Sequence, residues 1–165
     1  MPPERAGGPP IPQVGERAPE FTAKTDTGAT VSLKDFRGKK VVLYFYPQDD
    51  TSGCTREACD FRDSFAAVHA KGAAVLGVSP DSVDSHAAFK QKFGLPFPLI
   101  SDEDKAIVTA YGVWKERVRD GRTIMRTERT TFIIDENGII QRIFPAVTVD
   151  GHVNDVLAAL SAPAS

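Results

Sequence analysis

Cysteine is scarce: two residues, Cys54 and Cys59, in 165. That excludes a disulfide-stapled scaffold and an all-cysteine zinc site, and His69, His86 and His152 are too scattered to complete one. In a reducing compartment both thiols stay free, so any disulfide is transient. Charge of one sign is also lacking, with 20 basic against 22 acidic residues and a net charge of -2. No positive field is available for nucleic acid or anionic lipid, and neither is expected as a partner. Long apolar runs are missing too. Val41 to Tyr46 is strand length, far below the roughly 20 residues needed to span a bilayer, so no membrane association is expected.

What is present is an ordinary globular balance, 41% hydrophobic and 25% charged. No repeat is visible, and the length suits one domain. The Pro- and Gly-rich stretch 1–14 has no apolar segment of the secretory type, so it is read as a flexible tail on a cytoplasmic protein, with one domain over 15–165.

Within that domain, Asp26-Thr27-Gly28 separates two short runs and predicts an early hairpin. Lys40 to Tyr46 is continuously β-prone, as in a central strand covered on both faces, and Pro47 ends it. After Gly53, the residues Cys54, Ala58, Phe61, Phe65 and Val68 share one stripe at helical spacing, which predicts a helix to about Ala70. A second buried strand follows over Ala73 to Ser79, then a helix capped by Ser82, a short strand ending near Ile100 and a short helix over Glu103 to Tyr111. Thr130 to Ile134 and Ile139 to Phe144 flank a turn and predict a second hairpin, and Val149 to Leu160 a closing helix. The order implies an α/β fold: a thioredoxin-like sandwich, its central mixed sheet flanked by helices, with an N-terminal hairpin extension.

The segment Pro47-Gln48-Asp49-Asp50-Thr51-Ser52-Gly53-Cys54 puts a thiol in the first turn of a helix just beyond the central strand. Unpaired backbone N–H groups there favour an anion, so Cys54 is expected to be held as a thiolate. Asp49 and Asp50 oppose this unless they point to solvent or pair with a base such as Arg56, and a cationic partner is needed.

Pro47-x-x-x-Thr51-x-x-Cys54 resembles the active-site signature of the peroxiredoxins, and Tyr44 to Arg62 resembles their Q-type branch, also called bacterioferritin comigratory proteins. The similarity runs over about 14–160. It implies a thiol-dependent peroxidase in which Cys54 is the peroxidatic cysteine, and the Thr51 hydroxyl and Cys54 N–H bind the peroxide. Arg129, in Arg129-Thr130-Thr131-Phe132, resembles the family's arginine, whose donor fork holds thiolate and peroxide together. By the same resemblance Glu57 orients Arg129 and Pro47 shields the pocket from water. The resemblance further implies a sulfenic acid at Cys54, condensation with Cys59 as resolving cysteine, and recycling by thioredoxin of a monomeric enzyme. No organic cofactor or metal is implied, because the sulfur itself cycles between oxidation states.

Pairing Cys54 with Cys59 makes a geometric demand. On an intact helix their Cα atoms lie roughly 8.7 Å apart and point about 140° away from each other. A disulfide needs about 7 Å or less, so the first helical turns must unwind. If Cys59 is instead passive, the enzyme is a one-cysteine type. Thr51 and Ser52 also suit plain helix caps, Glu57 a carboxylate that complements the positive helix end, and Arg129 a partner for a surface carboxylate. Two other functions compete. A thiol–disulfide oxidoreductase shares the fold, but usually has two residues between its cysteines where this chain has four, and a proline where this chain has Arg129-Thr130-Thr131. A non-enzymatic redox sensor shares the first oxidation but does not turn over.

Overall fold

The computed structural model describes residues 11–161; residues 1–10 of the expected tail lie outside them. Among the described residues, nine strands and five α-helices follow in chain order. β1 (Thr22–Thr25) and β2 (Thr30–Ser32) form the early hairpin, and β3 (Lys40–Phe45) is the central strand. Next come α1 (Ser52–Asp63), α2 (Phe65–Ala70), β4 (Ala73–Ser79) and α3 (Val83–Phe93). β5 (Leu99–Ser101), α4 (Ala106–Ala110), β6 (Trp114–Arg119) and β7 (Arg122–Thr127) lead to the hairpin of β8 (Thr130–Ile134) and β9 (Ile140–Phe144), and α5 (His152–Ser161) ends the described chain.

Seven strands form one mixed sheet in the order β2-β1-β5-β4-β3-β8-β9. β3 and β5 run parallel to β4, while β8 runs antiparallel to β3. The early hairpin is the edge of this same sheet, joined through β1 to β5, rather than a separate appendage.

The unbroken apolar run of β3 has a simple cause. Val42, Tyr44 and Tyr46 face one core with Cys54, Ala58 and Phe61 of α1, Val68 of α2, Phe89 of α3 and Val156 of α5. Val41, Leu43 and Phe45 face the other, under Ile107 and Val108 of α4, with Tyr111 and Val113. A strand covered on both faces has no polar side to show.

Two expectations need correction. The helix after Gly53 is not continuous to Ala70: Ser64 leaves helical geometry at φ -103°, ψ 7° and divides α1 from α2. Its N–H still reaches the Asp60 carbonyl at 3.2 Å, and the apolar stripe carries on through Val68. The hairpin β6–β7 was not expected at all. It stands apart as a two-stranded sheet with Val118, Ile124 and Met125 exposed, so neither face carries the alternation that marks a strand on a core.

Candidate active site

β3 ends at Phe45, and the chain bends through Pro47 to Thr51 before α1 begins. Asp50 turns this loop with φ 59°, a left-handed conformation that aspartate tolerates better than most residues. Thr51 occupies the N-cap position, yet its hydroxyl does not cap; it donates to the Gln48 carbonyl at 2.9 Å. The helical ladder starts with Thr55 N–H to Thr51 C=O at 2.8 Å, which leaves the amides of Ser52, Gly53 and Cys54 ahead of it. The helix therefore presents donor groups around Cys54, whose side chain is 1% exposed.

Arg129 lies in the short connection between β7 and β8, just before Thr130 pairs with Phe45 at the end of β3, and there it reaches Cys54. Its Nη2 donates to Cys54 Sγ at 3.3 Å while its Nη1 donates to Glu57 Oε1 at 2.7 Å. One planar guanidinium thus spans the thiol and a carboxylate one helical turn further on. Gly53 makes this approach possible: a Cβ there would stand 3.2 Å from Arg129 Nη2. Gly77, paired with Tyr44 across β3 and β4, has a similar role, since a Cβ would lie 3.0 Å from the Tyr44 ring. Tyr44 can therefore lie flat beneath α1, stacked on Phe61 at 4.7 Å.

Burial sets the electrostatics. Glu57 is fully buried, its Oε2 has no partner, and burial pushes its carboxyl up to about 7 against the opposing pull of Arg129. Burial works against the Arg129 charge, but Glu57 and then Cys54 outweigh it and hold the guanidinium above its usual range. Tyr44 is raised well above the ordinary tyrosine range, first by burial and then by Glu57 and Cys54, so its buried hydroxyl stays neutral.

The structure brings Cys54, Glu57 and Arg129 into contact, with Thr51 and Pro47 in the loop beside them. Cys59 lies half-buried on the same intact helix, and both thiols are free. The arginines Arg119, Arg122 and Arg126 are exposed on the β6–β7 hairpin. Arg56 does not neutralise Asp49 or Asp50; it pairs with Asp150 at 2.7 Å. Asp50 instead pairs with Lys92 at 2.8 Å, and Asp49 turns inward to His86. Sequence reasoning missed Gly53, Tyr44 and this inward turn, and it left His86 and His152 without a role. Both histidines are buried, and His152 Nε2 lies 2.8 Å from Thr131 Oγ1. Burial lowers His152 to about 4, which leaves it neutral.

Residues 14–143 match the model of the AhpC/TSA family. A bcp-type peroxiredoxin of Coxiella burnetii is 52% identical over 148 residues, covering 90% of this chain and 98% of that protein. Peroxiredoxin Bcp of Bacillus subtilis is 45% identical, with 90% and 94% covered. The bacterioferritin comigratory protein of Xanthomonas campestris, whose structures were solved in connection with alkyl peroxide reduction, superimposes with a TM-score of 0.84 at 39% identity, covering 88% of this chain and 92% of that one.

Proposed function

The chain belongs to the AhpC/TSA family, with relatives of the Bcp and peroxiredoxin Q type, and from that premise we propose the residue-level cycle by which this thiol-dependent peroxidase works. Cys54 is the peroxidatic residue and Arg129 its electrostatic partner. The observation that carries this reading is the single guanidinium placed 3.3 Å from Cys54 Sγ and 2.7 Å from Glu57 Oε1.

The Cys54 thiolate attacks the terminal oxygen of a hydroperoxide, and the O–O bond breaks. Its electron pair leaves on the other oxygen, which takes a proton and departs as water or an alcohol. Cys54 becomes a sulfenic acid. Charge moves from sulfur to oxygen along this path, and a fixed cation beside both stabilises the transition state more than either end. Glu57 fixes the plane of the guanidinium. The Thr51 hydroxyl spends its proton on Gln48, so its oxygen lone pairs face outward to accept the hydrogen of the hydroperoxide. Pro47, half-buried at the end of β3, limits water access.

Cys59 thiol then condenses with the sulfenic acid, releasing water and forming the disulfide. The intact α1 forbids this step, so its first turns unwind. A dithiol of the thioredoxin kind reduces the disulfide and resets the helix. A reducing, cytoplasmic setting and a monomeric state belong to the same proposal; among the described residues no helix is long and apolar enough to cross a membrane.

Steady-state peroxide consumption with thioredoxin as reductant tests the cycle. Cys54→Ser is expected to abolish turnover, and Cys59→Ser to abolish it with thioredoxin while leaving the first oxidation intact. Full thioredoxin-dependent turnover in Cys59→Ser removes the resolving role from Cys59, and turnover in Cys54→Ser overturns the reading altogether.

A further inference from the structure

Asp49, in the middle of the Pro47–Thr51 loop, is 8% exposed and His86, on α3, is fully buried. His86 Nε2 lies 2.9 Å from the Ile100 carbonyl on β5, which can only accept, so Nε2 carries a hydrogen. His86 Nδ1 lies 2.7 Å from Asp49 Oδ2. A proton must sit between those two atoms as well, on the imidazole or on the carboxyl.

The other neighbours decide where it sits. Asp49 Oδ1 accepts from the Tyr46 hydroxyl at 2.6 Å, and Oδ2 accepts also from the Ser85 hydroxyl at 2.8 Å. With a hydroxyl donating to each of its oxygens, the carboxyl serves as acceptor on both sides, which leaves the shared proton on His86 Nδ1. Tyr46 remains a hydroxyl, since burial and then Tyr44 and Asp49 hold it well above the ordinary tyrosine range. Asp81, from the β4–α3 connection, faces the same cluster but is engaged elsewhere: its Oδ2 accepts the Asp49 N–H at 2.8 Å and the Ser79 hydroxyl at 2.6 Å. Asp49, Asp81 and His86 lie close enough to suggest a metal centre, with ligand atoms within 4.8 Å of one another. The His86 nitrogens and the carboxylate oxygens brought together there are already hydrogen-bonded, so the cluster reads as a closed network rather than a cation site.

We propose that His86 is a buried imidazolium ion-paired with Asp49, and that this pair is a positioning device that fixes the loop carrying Pro47 and Thr51 and neutralises the carboxylate buried within that loop. The positioning half rests on the peroxidase reading of that loop. The clamp runs from the loop to α3 and β5 and does not pass through α1, so it holds while α1 unwinds. Asp49 is two residues from Thr51, and a pocket residue displaced by about 1 Å slows a reaction on the order of a hundredfold. An unpaired, buried Asp49 carboxylate would draw the loop toward water.

Nitrogen-15 NMR of reduced, histidine-labelled protein at neutral pH tests the pair. His86, identified by the signals lost in His86→Gln, is expected to show both ring nitrogens protonated, and in Asp49→Asn only Nε2. A bare Nδ1 in the wild type places the proton on Asp49 and overturns the assignment. The second measurement is the rate of Cys54 oxidation by hydrogen peroxide, taken on folded protein well below its melting temperature. His86→Gln is expected to lower it by about tenfold or more, toward the hundredfold limit. An unchanged rate overturns the positioning role even if the variant is less stable. Failure of wild-type Cys54 to react with peroxide at all would sink the catalytic reading and leave the NMR result standing, so the two failures are distinguishable.

Discussion

Replacing Glu57 with glutamine probes the centre of the site through stability alone. The folded protein raises this carboxyl from 4.5 to about 7, burial being the larger cause and Arg129 the opposing one. At about 1.4 kcal/mol per tenfold change in proton affinity, the rise amounts to roughly 3 kcal/mol. Because the folded chain binds this proton more tightly than the unfolded chain, the contribution is fully present below pH 4.5 and is lost as pH rises through about 7. Glutamine keeps an oxygen for Arg129 Nη1 and never ionises. The assay is urea unfolding of reduced wild-type and Glu57→Gln protein at several pH values from 4.5 to 8. The difference between the two proteins cancels the other titrating groups, notably His152, lowered to about 4 by burial, and Asp102, raised to about 6 chiefly by burial. The variant is expected to gain on the wild type by roughly 3 kcal/mol across that interval, most steeply between pH 5 and 7. Parallel curves would refute the reasoning, because they would mean that Glu57 ionises as easily inside the protein as outside.

Three further outcomes are expected. Arg129→Lys replaces the two-pronged donor with a single ammonium, and stopped-flow oxidation of Cys54 should slow on the order of a hundredfold to a thousandfold; a change under threefold would show that the fork is not used. Gly53→Ala places a methyl 3.2 Å from Arg129 Nη2, and the displaced guanidinium should slow the same step by about tenfold, whereas an unchanged rate would mean that Arg129 gives way without leaving the thiol. Amide exchange should show Cys54 to Ala66 protected in the reduced protein and exposed after oxidation, and equal protection in both forms would exclude unwinding of α1.

Much of the architecture was legible because the core writes itself into the chain as periodicity. β3 reads as an unbroken apolar run because its two faces meet two cores, and Cys54, Ala58 and Phe61 mark α1 because they bury one helical stripe. The hairpin β6–β7 escaped because, beyond Trp114 at its base, its apolar residues Val118, Ile124 and Met125 are exposed rather than packed on a core. Its one local signal was Asp120-Gly121, both with positive φ at 52° and 74°, a two-residue turn between six-residue runs. The contact of Arg129 with Cys54, 75 positions apart, came from the resemblance; periodicity does not supply it. Nothing in the sequence revealed that Asp49 turns inward to His86, because a partner 37 positions away on another element leaves no spacing pattern. Gly53 marked only the start of the helix in the sequence, and its use became visible once Arg129 stood above it.

The most direct measurement treats reduced Cys59→Ser protein with one equivalent of hydrogen peroxide in the presence of a sulfenic-acid trap, followed by peptide mass spectrometry. The account predicts rapid, nearly stoichiometric adduct on Cys54, and none when the protein also carries Arg129→Met and is sampled on the same timescale. A Cys54 that remains an unmodified thiol while peroxide persists, or that reacts equally fast without Arg129, would contradict it.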